Sequence, residues 1–310
     1  MIKIFKTVGD ITSEIPEMND GTWVYMGNPT PEEIERVRLF YNVDEGHMKA
    51  ALDEEESPRI DVEDESTLFI IDVPIPMDDP SGRLYGTIPI GIIIAKEAII
   101  TICTQDIKIL TDFIKGRMKG FYTFKKTRMI LQIMYKVATY FLLYLKQIDR
   151  ASEKVERELH KSMKNKELIQ LLSLEKSLVY FNTSLRANDI VFGKMLRLEA
   201  VKKYPDDKEL LEDVIIENKQ AMEMANLYSN ILNGTMDAFA SVISNNLNIV
   251  MKILTSITIV MAIPTIVASF FGMNVPVPFE VNPMGFWIII MITFILSVIA
   301  ALIMLKKQLF

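Results

Sequence analysis

The residues with the most specific chemistry in this chain recur at helical spacing: Asp237, Ser244, Asn248, Met251, Thr255, Thr258, Ala262, Thr265 and Ser269. Every step between them is three, four or seven residues, so an α-helix places the whole set on one face. From Thr255 onward that face is small or hydroxyl-bearing, whereas the other faces are Ile, Val, Leu and Met. Hydroxyls in an apolar helix either bond back to their own backbone four residues earlier or pack small against another helix. Within one span those uses and a polar conduit weigh equally. Asp237 and Asn248 on the same face favour the conduit, because a ring of such helices encloses a polar pore that starts at a ring of carboxylates.

The face ends at FFGMNVPVP, residues 270–278. Gly272 allows close backbone approach, and Asn274 offers an amide oxygen beside the free carbonyls of a helix end. Neutral oxygens suit Mg²⁺, which dehydrates reluctantly and is gripped through its waters. Gly272, Met273 and Asn274 are therefore a candidate filter for a hydrated cation. Pro264, inside the same apolar run, removes an N–H donor and frees the carbonyl of Val260, which either kinks the helix permanently or lets it bend.

What positions these residues is a membrane hairpin. Ile253 to Phe271 and Phe286 to Leu305 carry no charge, and about nineteen or twenty residues at about 1.5 Å each cross a hydrocarbon core of roughly 30 Å. The first span with its tripeptide occupies 253–274, the loop 275–285, the second span 286–305 and a basic tail 306–310. The loop is too short to be a domain, so both ends of the hairpin lie on one side. Lys252, Lys306 and Lys307 mark that side as the cytoplasm, with both termini there and the tripeptide facing out. All acids except Glu280 precede Ile249 in a chain of net charge −6 and 50% hydrophobic residues. MIKIFKTVGD lacks the apolar core of a signal peptide.

Residues 1–110 alternate strand and helix signals and form an α/β domain. IKIFKTV, TWVYM, TLFIIDV, YGTIPIGIII and AIITICT are strands, and PEEIERVRLFYN, opened by Thr30-Pro31-Glu32-Glu33, is a capped helix. The tracts LDEEES and DVEDES are solvated acidic faces rather than metal sites. Residues 111–205 are helical, one segment running to about Lys166 and another to about Tyr204. From Asp206 a stalk helix continues to 252 and on into the membrane with Gly234 as its one weak point; about sixty-five residues span roughly 100 Å. A helix of that length calls for oligomeric partners. Cys103, with apolar neighbours, is a buried strand thiol, and His47 and His160 stand apart from any ligand partner. The abundant methionines are packing residues.

A Gly-Met-Asn tripeptide closing the first of two C-terminal spans, a short outer loop, the approach SNNLNIVMKILT and the tail LKKQLF resemble the CorA family of divalent-cation channels. That resemblance covers the chain in layout and is close in pattern from about Leu210 to Phe310. It implies a homopentameric funnel, and Mg²⁺ influx closed by cytoplasmic Mg²⁺ between subunits, with Co²⁺ and Ni²⁺ as further ions and the bilayer as the other partner. It implies that Gly272, Met273 and Asn274 are the filter, and that Thr265, Asn248 and Asp237 are polar pore rings, with Thr255, Thr258, Ala262 and Ser244 between them. Leu254, with Met251 nearby, corresponds to the apolar constriction. Asp213, in LLEDV, corresponds to the stalk carboxylate of the regulatory metal site. The chain departs from the family's Asp-Val-x-Asp-His by continuing Ile215-Ile216-Glu217, and its outer loop lacks Met-Pro-Glu-Leu, leaving Glu280 as the only acid at the mouth.

A zinc transporter of the same architecture is the alternative; the intact tripeptide and the absence of histidine near the pore favour magnesium. A non-transporting scaffold predicts no polar stripe. No phosphate-cradling loop, nucleophile arrangement or ligand triad points to an enzyme, an organic cofactor or a nucleic acid.

Overall fold

The computed structural model describes residues 1–63, 66–77, 83–162, 165–278 and 283–307, which fall into two compact units, Met1–Thr235 and Met236–Phe310. The first unit is built on one seven-stranded sheet of β1 (Ile2–Val8), β2 (Ile11–Glu14), β3 (Thr22–Gly27), β4 (Arg59–Val62), β5 (Ser66–Pro76), β6 (Tyr85–Ala95) and β7 (Ala98–Cys103). Their order is β2-β1-β3-β7-β6-β5-β4. β3 and β7 pair in parallel, and every other neighbouring pair is antiparallel. These two central strands are buried along their whole length, which is why they read as near-continuous apolar runs.

Alternation along β3 divides the core. Val24 and Met26 join Val37 and Tyr41 of α1 (Pro31–Tyr41) and Met48 of α2 (Glu45–Ala50) on one face. The α1 start is the one expected: Thr30 accepts from the Glu33 amide, Glu33 reaches back to Thr30, and Pro31 sits in the first turn. The helix stops at Asn42 in the left-handed conformation, φ 50°. Helix α2 lies so close to the sheet that a Cβ on Gly91 would collide with the Ala51 Cβ just past the helix end. On the other face Trp23 stacks on Phe5 and meets Phe113 and Phe121 edge-on, while its indole N–H donates to Thr101 Oγ1 at 3.0 Å.

The structure adds β2 and β4 to the strands expected from sequence. Both are four-residue edge strands, largely exposed or half-buried, too short to show a period of two. The helix expected to run on from Thr111 stops at once: α3 is only Thr111–Ile114, and α4 starts at Lys126 and runs to Ser162. Between them Gly116 and Gly120 take φ of 64° and 65°, a left-handed geometry that ends a helix. That loop is tied to the sheet through Thr123, which exchanges hydrogen bonds with Thr7 (3.1 and 2.9 Å) and donates to the Gly21 carbonyl at 2.7 Å.

Helix α5 (Asn165–Met195) packs on β5 and β6 through polar groups as well as Leu178, Phe181 and Leu185. Asn188 locks it in place, accepting from the Asp72 amide at 2.9 Å and donating to the Asp72 carbonyl at 2.8 Å. The short α6 (Glu199–Lys202) leads to α7 (Pro205–Phe271). Within this unit α7 buries Leu211, Val214, Ala221, Ala225 and Leu232, and Asn218 donates to the Leu185 carbonyl at 3.0 Å. Gly234 does not interrupt the helix.

Cys103 is fully buried, and burial pushes its thiol up to about 12. His47 is also buried, with Nδ1 2.9 Å from Ser66 Oγ; the His160 side chain lies outside the described residues. Of the acidic tracts, Glu56 and Asp61 pair with Arg59, as befits a solvated face.

Burial holds the Asp72 carboxyl above the usual carboxylate range, with a hydrogen bond from Ser184 partly opposing the shift. Between its ordinary and its raised pKa the folded chain keeps a proton that the unfolded chain has lost, so stability declines as pH rises through that window. Below it the carboxyl is neutral in both states and the penalty vanishes. Asp72→Asn should therefore raise the thermal midpoint of the detergent-solubilised protein at about pH 7 and match the parent at about pH 3. An equal shift at both values, followed by circular dichroism, would show that the carboxylate charge is not the cost.

Candidate functional site

The second unit contains the end of α7 and α8 (Gly285–Lys306), and both helices are long and apolar enough to cross a membrane. Two faces of α7 can be told apart by burial. Ser256 is 2% exposed, and Val260, Ile263, Val267 and Phe271 are half-buried. They follow one another at steps of four, three, four and four residues, and α8 is the described helix of this unit available to cover them. On α8 the half-buried positions include Ile289, Thr293, Ser297, Ala300 and Met304, again one face.

The stripe lies on the other side of α7. At 3.6 residues per turn, the line through Met251, Thr255, Ala262 and Ser269 is about 140° around the helix from the α8 side. Asp237, Ser244, Asn248, Met251, Thr255, Thr258, Thr265 and Ser269 are exposed in the single chain, and Ala262 is half-buried. Leu254, at the edge of the same face, is 57% exposed and Met251 52%. The chain thus uses a mostly apolar side, with Ser256 in it, for its own second span and leaves the polar stripe uncovered.

Two stripe hydroxyls are engaged with their own backbone. Thr258 Oγ1 donates to the Leu254 carbonyl at 2.8 Å, and Thr265 Oγ1 to the Met261 carbonyl at 3.5 Å. This is the back-bonding that sequence alone left open against a conduit. The two are compatible: a hydroxyl whose proton is committed to the backbone presents oxygen lone pairs outward, which are acceptors for a cation's water shell.

Past the last helical residue, Phe271, the Gly272 amide still donates to the Ala268 carbonyl at 2.9 Å. Gly272 does not have a positive φ. Its advantage is space, since a Cβ there would stand 3.2 Å from the Ala268 carbonyl oxygen. Met273 and Asn274 follow, both exposed. Pro276 and Pro278 have no N–H to extend the helix, so its terminal carbonyls end beside Asn274. Glu280, the expected acid of the mouth, lies outside the described residues.

Pro264 lies within the continuous helix. Together with Val260 and Ala268 on α7 and Ile289, Thr293 and Ser297 on α8, it lines a largely apolar cleft of about 700 Å³. The carbonyl that Pro264 frees is therefore on the α8 side, opposite the stripe. The serines of this inter-helix face, Ser256 and Ser297, were missed in the sequence reading, although their place opposite the stripe is legible from helical spacing.

In the first unit Asp213 is exposed on α7, as are Asp206 and Glu209 three and four residues apart on the same face. Asp207 pairs with Arg128 at 3.3 Å and Glu212 with Lys208 at 3.4 Å. Among the described residues no group of three or more His, Cys, Asp or Glu side chains within the chain can hold a metal.

Comparison with known proteins places this architecture. The cobalt/magnesium transport protein CorA of Methanocaldococcus jannaschii is 26% identical over 287 residues, 89% of this chain and 87% of that protein. The protein of the same name from Thermotoga maritima is 22% identical over 317 residues, 98% of this chain and 88% of its own length. The solved complete structure of the CorA magnesium transporter from M. jannaschii superposes with a TM-score of 0.86 at 23% identity, covering 98% of this chain and 96% of that one. The N-terminal α/β domain, long helix and two apolar C-terminal helices are thus the CorA fold. Residues 19–307 match the family described as CorA-like Mg2+ transporter protein, and with nearly the whole chain inside that match, the protein belongs to the CorA-like Mg²⁺ transporter family.

Proposed function

We propose that the protein is a homopentameric channel for Mg²⁺ influx, passing Co²⁺ and Ni²⁺ as well, with both termini in the cytoplasm. The observation that carries this reading is the polar stripe of α7, which faces away from α8 and ends at Gly-Met-Asn. Five copies turned inward surround a path with Asp237 at its cytoplasmic entrance, Asn248 and Ser244 near it, and Thr255, Thr258, Ala262 and Thr265 along the span. Gly272, Met273 and Asn274 close it on the outside, where amide and terminal carbonyl oxygens hold the ion through its waters. Lys252, Lys306 and Lys307 support the orientation. The relatives' description as cobalt/magnesium transport proteins supports the choice of ion.

Met251 and Leu254 form the constriction: apolar rings cannot replace a cation's water, so a narrow ring there dewets and blocks. Asp213 supplies the sensor. Its exposed face meets the neighbouring protomer, and a cytoplasmic Mg²⁺ bridging carboxylates there offsets their repulsion and favours the closed ring.

Asn274→Ala should abolish Mg²⁺ uptake into liposomes while leaving the oligomer intact by size-exclusion chromatography. Uptake at the parental rate in an intact Asn274→Ala oligomer rejects the filter.

Asp213→Lys supplies a fixed positive charge where the ion would sit, so closure should depend less on Mg²⁺. Flux and protease protection measured across a Mg²⁺ titration should show a weaker dependence than in the parent. Identical midpoints would remove Asp213 from the sensor.

A further inference from the structure

The cleft between α7 and α8 holds two unmatched hydrogen-bonding groups. One is the Val260 carbonyl, which loses its helical donor to Pro264. The other is Ser297 Oγ, buried without a partner among the described residues. Thr293, on the same face of α8, has already bonded back to the Ile289 carbonyl at 2.8 Å; Ser297 has not. Both orphan groups belong to residues that line the cleft, and both stand at the same depth. Val260 lies eleven residues from Phe271, the end of α7, and Ser297 twelve from Gly285, the start of α8. In an antiparallel hairpin these are drops of about 16 and about 18 Å.

From this pairing of an orphan donor with an orphan acceptor we infer that Ser297 is a positioning residue for transport: its hydroxyl donates to the Val260 carbonyl when α7 tilts toward α8 about the buried Ser256 and closes the cleft. Hydrocarbon supplies no substitute partner for either group, so each favours the conformation in which they meet. The inner half of the hairpin is already closed, with Ser256 buried at the depth of Ala300 and Ala301. Closure therefore moves the half beyond Ser256, which carries Val260, Met261, Thr265, Ser269 and the tripeptide. Since the stripe lies opposite the cleft, swinging that half toward α8 draws the stripe away from its counterparts across the ring. The hydrogen bond accordingly belongs to the wider, conducting state. This deepens the channel reading and rests on it.

The test uses Met261→Cys with Phe294→Cys, a pair from opposite walls of the cleft, in the full protein in liposomes without Mg²⁺. Native Cys103 is buried in the first unit. Oxidative cross-linking between the pair reports cleft closure without reference to flux. Ser297→Ala should lower the cross-linking rate roughly three- to ten-fold, the size expected of one inter-helix hydrogen bond in a membrane, and Ser297→Thr should restore it. In a Pro264→Ala background, where Val260 regains its own donor, Ser297→Ala should have no further effect. Mg²⁺ flux measured on the same serine variants without the cysteine pair should follow the same order. A rate unchanged by Ser297→Ala, or lowered equally with and without Pro264, overturns the inference. Cross-linking that follows the expected order in a protein that passes no divalent cation keeps the hydrogen bond and rejects the channel.

Discussion

Hydrocarbon offers no partner to a hydrogen-bonding group, and the arrangement of the second unit follows from that constraint. A hydroxyl in the span must bond back to its own helix, meet another protein surface or line water. Thr258 and Thr265 do the first with their protons and leave their oxygens facing outward. A helix that presents such a line of oxygens on the side away from its own partner span leaves that side uncovered within a single chain. The same constraint makes Pro264 costly, because its missing N–H strands a carbonyl where no water replaces it. The end of the helix is the other exception: its last carbonyls must leave the hydrocarbon to be satisfied, and there the chain places Gly272, Met273 and Asn274.

The first unit meets a different demand, that of anchoring a helix which continues far beyond the domain. Its solution is mixed. Leu211, Val214, Ala221, Ala225 and Leu232 bury a helical stripe, and Asn218 adds a directional bond to the Leu185 carbonyl. One layer further in, Asn188 binds both backbone groups of Asp72. A hydrophobic stripe alone tolerates sliding by a turn, whereas an amide that must face one particular peptide group does not. Polar contacts therefore set the register of α5 on the sheet and of α7 on α5.

How much of this was legible depended on whether local pattern or distant partners decided each element. The five core strands announce themselves by apolar runs, α1 by its complete cap, and the two spans by length and lack of charge. The stripe could be read because helical spacing is arithmetic. The edge strands β2 and β4 could not, since four residues that are largely exposed carry little pattern and owe their pairing to strands already formed. Nor could the loop before α4, where Phe121 and Thr123 are held by Trp23, Thr7 and Gly21, about a hundred residues away along the chain. The orphaned Ser297 was hidden for a related reason: a serine in an apolar run is unremarkable until α7 stands beside it.

The parallel pairing of β3 with β7 has a bearing on synthesis. Thr22 lies opposite Ala98 and Gly27 opposite Cys103, so the centre of the sheet joins segments far apart in the chain, and the hairpins on either side lack their buried middle until β7 has been made. Contacts of such long sequence separation form late and slowly. Translation nevertheless gives them time, because α4, α5, α6 and the first part of α7 all emerge after β7 and before either apolar span. The sheet can thus close and receive its covering helices while the hydrophobic hairpin is still to be polymerised, and the segments most prone to aggregate in water appear only after them.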